Sequence, residues 1–188
     1  MVIEYEEAWN KEDHRRKGVA MTQELEARLK IIEDIEAIKQ LRATYCYLVD
    51  AGVAGDSSKL DELIDLFTDD ARAEYGDYGI FEGKEAIRQF FKELIPTVLS
   101  YSAHMVHNPV IEVEGDRAKG KWYFEAACTF SMANRATWGQ GKYIEEYVKV
   151  DGIWKWKSLK VVFDYFTPFD EGWVKTKDLV RQLFPETR

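Results

Sequence analysis

The sequence predicts an α+β fold: helices first, then a long, strongly curved, mixed or antiparallel sheet wrapped around them to enclose a cone-shaped cavity. Two observations carry this. Apolar residues recur every three or four positions through the first half of the chain, the mark of amphipathic helices. From residue 103 the pattern changes to four alternating runs, 103–113, 117–130, 138–150 and 153–166, the mark of strands with one buried face. Helices followed by a meander of strands is an α+β layout, and ligand sites favour the concavity that it leaves.

Residues 1–21 are mixed and charged and read as an N-terminal extension, flexible or docked on a partner. A domain then spans 22–168, with a tail over 169–188 anchored by Trp173, Leu183 and Phe184. The first helix is expected from Thr22, as its cap, to Val49, with Gly52 as its stop. Its stripe is Leu25, Leu29, Ile32, Ile35, Ile38 and Leu41. Lys59 to Phe67 reads as a second helix, Ala71 to Tyr78 as a short strand, and Gly83 to Leu94 as a third helix stopped near Pro96. Between the long runs, Glu114-Gly115-Asp116, Asn134-Arg135-Ala136 and Asp151-Gly152 are turns, and the last is a hairpin signal.

The net charge of −8 argues against a nucleic-acid partner. No apolar run has membrane-spanning length, and the first residues lack the features of a signal peptide, so a cytoplasmic location is expected. Cys46 and Cys128 sit inside a helix and a strand and read as buried free thiols. There is no phosphate loop, nucleophile elbow or dinucleotide fingerprint, and no cofactor is expected. His104 and His107 diverge on a strand, so no metal is expected either.

Two polar residues stand where a plain core would not put them. Asp50 lies in the apolar stretch Ala43–Ala51, and His104 opens the strand run that begins His104-Met105-Val106. Together a carboxylate and an imidazole in an aromatic-rich setting make a general-base pair. Tyr45 lies five residues before Asp50, about 140° around an ideal helix. Both could therefore line one cavity only if sheet surrounds the helix end on two sides. On the last strand, alternation puts Trp154, Trp156, Ser158, Lys160, Val162 and Asp164 on one face. Leu159, Val161, Phe163 and Tyr165 lie on the other, which is expected to meet the cavity toward its end. Tyr143 shares a face with Glu145 and Tyr147. Core packing accounts for most of these aromatics.

Ile35-Glu36-Ala37-Ile38-Lys39-Gln40-Leu41 with Tyr45 and Asp50 resembles the opening helix of the SnoaL-like family in the nuclear-transport-factor-2-like superfamily. Ser102-Ala103-His104-Met105-Val106-His107-Asn108 resembles its histidine strand. Asp151-Gly152-Ile153-Trp154-Lys155-Trp156 and Tyr165-Phe166-Thr167-Pro168 resemble its final strand. The branch it resembles holds bile acid 7α-dehydratase, scytalone dehydratase and hexachlorocyclohexane dehydrochlorinase. The resemblance implies a cystatin-like cone, no cofactor, a His–Asp dyad and a homo-oligomer, trimer or dimer. His104 would be the base, Asp50 its orienting partner, and Tyr45 a donor to a departing hydroxyl or an oxyanion. Asn108, Phe163, Leu159, Tyr165, Tyr143 and Trp122 are the candidate substrate contacts. Two departures stand out. Relatives in this branch carry an arginine on the last strand where this chain has Leu159 and Phe163, and the bile acid enzyme has an aspartate after its Trp-Tyr-x-Glu run where this chain has Ala126. Arg135 is the candidate replacement cation. The implied activity is a dehydratase-like lyase acting on a bulky ring-containing alcohol. The alternatives are a retro-aldol lyase on lignin-derived diaryl substrates, a ketosteroid-type isomerase and a non-catalytic ligand-binding module.

Overall fold

The computed structural model describes residues 2–132 and 134–179, with side chains from Arg16 onward. Leu183 and Phe184, two of the expected tail anchors, lie outside the described residues.

Helix α1 runs Val2–Val53, starting well before Thr22. Thr22 is therefore an interior residue, and its hydroxyl donates to the Gly18 carbonyl at 3.0 Å instead of capping a terminus. The chain divides into two units at Ala37/Ile38. In the first, Leu25, Leu29 and Ile32 are exposed. The expected apolar stripe is thus buried only in the second unit, through Ile38, Leu41, Tyr45 and Val49. Gly52 does not stop α1. It lets α2 approach: a Cβ there would sit 2.1 Å from the Leu60 Cδ2 atom.

Helix α2 (Ser57–Ile64) starts at Asp56, whose carboxylate accepts from the Ser58 N–H at 3.2 Å, and it buries Leu60, Leu63 and Ile64. Phe67, expected to close this helix, instead opens strand β1 (Phe67–Tyr75). A 3₁₀ turn (Gly76–Tyr78) and the short β2 (Ile80–Glu82) follow. Helix α3 (Lys84–Gln89) passes through a π-helical turn (Phe90–Leu94) into α4 (Ile95–Val98). The consecutive Phe90 and Phe91 are both buried here.

Strands β3 (Leu99–Glu114), β4 (Arg117–Phe130), β5 (Arg135–Val150) and β6 (Ile153–Pro168) match the four alternating runs, each slightly extended or equal in length. Asp151 (φ 51°) and Gly152 (φ 80°) form the two-residue turn that the Asp-Gly pair requires. The six strands form an open sheet ordered β2-β1-β6-β5-β4-β3. All its pairings are antiparallel except β1 with β6. Its concave face holds the aromatic core, including Phe67, Trp156, Phe124 and Tyr147. Burying each such side chain contributes roughly 1.5–3 kcal/mol. This is the cone-like α+β architecture that the sequence predicts.

Strand β6 departs from simple alternation. Its pairing with β5 shifts by one residue between Trp156 and Ser158 and again between Phe163 and Tyr165. Lys157 and Asp164 are the extra residues, and each bulge switches the facing. Trp154 and Trp156 consequently point inward with Leu159 and Val161, although strict alternation separates them. After the second bulge Phe166 points inward and Tyr165 outward.

Candidate active site

The two candidate helix residues reach strands toward opposite ends of the sheet. The Tyr45 hydroxyl lies 3.3 Å from the Tyr75 hydroxyl on β1. Asp50 meets β3, at the other end of the strand order. The sheet thus curls around the end of α1, which is the condition that the 140° separation of Tyr45 and Asp50 imposes.

Asp50 and His104 form a dyad. The His104 Nδ1 lies 2.7 Å from the Asp50 Oδ1. The His104 backbone N–H donates to Oδ2 at 2.9 Å, and the Ser102 hydroxyl donates to Oδ1 at 2.7 Å. Burial pushes the Asp50 carboxyl up, but hydrogen bonds from His104 and Ser102 outweigh it, so its pKa lies below the usual carboxylate value. With Nδ1–H committed to an ionised carboxylate, Nε2 is left as the basic nitrogen.

His104 lines a cavity of about 70 Å³ walled by aromatic residues, among them Tyr45, Tyr75, Tyr143, Phe124 and Phe163. Among the described residues lining it, none is Lys, Arg, Asp or Glu. Burial pushes the Tyr45 and Tyr75 phenols above their ordinary value, so both are neutral donors near pH 7. Cys128 also lines the cavity, but burial pushes its thiol up to about 12, which leaves no thiolate nucleophile. Cys46 is likewise buried and free, its thiol pushed up to about 11. A larger open cleft of about 1180 Å³, bordered by Asp69, Asp70, Lys155 and Lys157, contains neither dyad member. The site follows from the chemistry and not from cavity size.

Of the remaining candidates, Tyr143 and Phe163 line the cavity. Asn108, Trp122, Leu159 and Tyr165 do not. Asn108 adopts φ 53° at a bulge in β3 and is exposed. Trp122 is buried, and its indole N–H donates to the Tyr147 hydroxyl at 3.0 Å. Leu159 is buried where β6 pairs with Glu145 of β5 and Ala73 of β1. Tyr165 stacks on Trp173 at 4.9 Å on the outer face, because the Asp164 bulge turns it outward. Arg135 does not replace the strand arginine: it binds Asp170 at 3.1 Å and also holds Glu171, away from the cavity lining. Ala126, cross-strand from His104, lines the cavity. Tyr75, Ser102 and Arg42 are the residues that sequence reasoning missed. Only Ser102 carried a local signal, being two residues before His104 and so on its face.

An open, cone-like α+β sheet with a carboxylate–imidazole pair at an aromatic cavity defines the structural class. Residues 30–160 match the SnoaL-like domain, and the chain belongs to that family. Among solved structures it is similar to a type 2 hexachlorocyclohexane dehydrochlorinase, with 22% identity over 75% of this chain and 92% of that one, and a TM-score of 0.68. It is similar to a scytalone dehydratase-like protein of Novosphingobium aromaticivorans, with 22% identity over 80% and 95% of the two chains and a TM-score of 0.65. It is also similar to a protein from the same organism described as an aromatic ring hydroxylase, with 27% identity over 73% and 94% and a TM-score of 0.64.

Proposed function

We propose that the chain is a cofactor-independent lyase in which the Asp50–His104 dyad abstracts a proton and drives elimination from an uncharged, ring-containing alcohol. The observation that carries this is the 2.7 Å contact between His104 Nδ1 and Asp50, with His104 at the wall of an aromatic cavity. As Nε2 takes the proton, ionised Asp50 stabilises the imidazolium. The paired Tyr45 and Tyr75 hydroxyls supply the donor for the departing oxygen. A lining without Lys, Arg, Asp or Glu suits a neutral substrate. The dehydrochlorinase and the scytalone dehydratase-like protein, both eliminating enzymes by description, support a lyase reading.

The test is a panel of neutral ring-containing β-hydroxy compounds assayed for loss of water with the parent protein and His104→Gln. Turnover is expected to fall by about two to four orders of magnitude in a folded variant. Near-native turnover by His104→Gln would end the dyad reading. Carbon–carbon cleavage or ring-enone isomerisation by the parent, without elimination, would keep the base and reassign the reaction. We also propose a cytoplasmic homo-oligomer, trimer or dimer. Exposed Tyr101, Met105, Tyr123 and Ile144 on the outer face of β3, β4 and β5 support the assembly.

A further inference from the structure

Arg42 sits on α1 three residues before Tyr45, and its side chain is wholly buried. Its Nη1 lies 3.2 Å from Oε1 of Glu145, which is equally buried on β5. None of the three guanidinium nitrogens has a hydrogen-bond partner among the described residues. The other Glu145 oxygen accepts from the Tyr147 hydroxyl. A buried ion pair so poorly supplied with hydrogen bonds adds little stability, and apolar replacements of similar volume are often neutral or stabilising. Stability therefore does not account for the pair.

Its placement offers another account. The guanidinium carbon lies 3.5 Å from the Tyr143 ring centroid and 4.5 Å from that of Tyr45. Both rings also line the cavity that holds His104. An arginine against a ring face interacts favourably with its π-electrons and stabilises negative charge on the attached oxygen. In a dry setting that influence is screened less than in water. Among the described residues that line the cavity there is no Lys or Arg: Phe163 occupies the last strand, and Arg135 is held outside by Asp170 and Glu171.

We propose that Arg42 is a positioning residue of the site: a buried cation that acts through the Tyr45 and Tyr143 rings to favour negative charge at the hydroxyl end of the cavity. This rests on the lyase reading for its purpose, but not for its test. Glu145 holds Arg42 in place and keeps the pair neutral overall. Among the described residues, the ionisable groups around the Tyr45 and Tyr143 rings are Tyr75 from β1, Cys46 and Arg42 from α1 and Glu145 from β5, with His104 of β3 on the same cavity wall. Burial pushes the Tyr45 and Tyr143 phenols up, and Arg42 is the neighbour that pulls each back down.

The experiment places 3,5-difluorotyrosine at position 45 of the full chain. The label is a close isostere of tyrosine and a stronger acid, so it ionises at a pH that the folded protein tolerates. Its ionisation is followed by ¹⁹F NMR in the parent, in Arg42→Lys, and in Arg42→Met combined with Glu145→Leu. The double variant is expected to fold with an unchanged or higher Tm, and the label's midpoint to rise by about one pH unit or more, a tenfold weaker acid. Arg42→Lys, which keeps the charge, should hold the midpoint close to the parent value. An unchanged midpoint in the folded double variant overturns the proposal. So does a double variant that cannot fold, which makes the pair structural, and so does a parent label that stays neutral up to the pH of unfolding. No turnover is needed, so an empty elimination screen would count against the lyase reading and leave this result standing.

Discussion

Asp50 receives three hydrogen bonds, from the Ser102 hydroxyl, the His104 N–H and the His104 ring. A carboxylate held this way is fixed in rotamer and in charge. Because its folded pKa lies below the unfolded value, it adds stability above about pH 4, and that contribution is lost as pH falls through the lower folded value. Asp50→Asn should therefore cost about 1–3 kcal/mol near neutrality, where it leaves donors unmatched. It should also flatten the acid limb of a stability-against-pH curve measured by denaturant unfolding. A variant whose curve parallels the parent below pH ~4 would show that the carboxylate is not held by these donors. Tyr45 makes a different prediction. Tyr45→Phe keeps the ring and removes the donor, so kcat should fall roughly 10- to 100-fold with little change in KM. Arg135→Ala should leave both constants near their parent values, because its partners Asp170 and Glu171 lie off the cavity. Steady-state kinetics on any substrate turned over separates the two, and a crippled Arg135→Ala would reverse the assignment.

Among the elements, Gly52 shows how a single hydrogen in place of a methyl sets a helix contact. Gly52→Ala would drive a Cβ to 2.1 Å from the Leu60 side chain and should destabilise by about 1–3 kcal/mol. Leu60→Ala in the same chain should recover part of that loss in thermal melts, and no recovery would place the strain elsewhere. The strands show what a sequence displays and what it hides. On β4, Ala118, Trp122, Phe124, Ala126, Cys128 and Phe130 are all buried and all of one parity, so alternation alone locates the strand and its inner face. On β6 the same logic fails twice, because bulges at Lys157 and at Asp164 each add one residue without altering composition, and the second turns Tyr165 outward. That is why Tyr165 was expected in the cavity and stands outside it. The dyad is legible because each member interrupts an apolar run. Tyr75 is not, since its partner lies 30 residues away along the chain and only the curl of the sheet joins them, while Ser102 shows only that it shares the face of His104. Arg42 is hidden for a related reason: in a helix with charges every few residues, nothing local separates a buried guanidinium from a solvated one.

For the molecule as a whole, the outer sheet face carries Tyr101, Met105 and Tyr123 at about half exposure, where His107 also stacks parallel to the Tyr123 ring. If this face joins copies of the chain, Met105→Glu should lower the mass found by sedimentation from that of a trimer or dimer toward that of a monomer. An unchanged mass would move the interface elsewhere. The parallel pairing of β1 with β6 has a consequence for synthesis. Glu74 on β1 and Lys160 on β6, 86 residues apart, bond across that seam. The β3–β6 meander can zip hairpin by hairpin as it leaves the ribosome, but β1 has only the three-residue β2 beside it until the final strand emerges. Closing so long a loop is entropically expensive and slow. For most of translation one edge of β1 stays unpaired, and the nascent chain is then most prone to wrong partners. A ribosome-held chain ending before Ile153 should accordingly bind a holdase chaperone and resist dilution-driven refolding, while one extended past Pro168 should release and become protease-resistant.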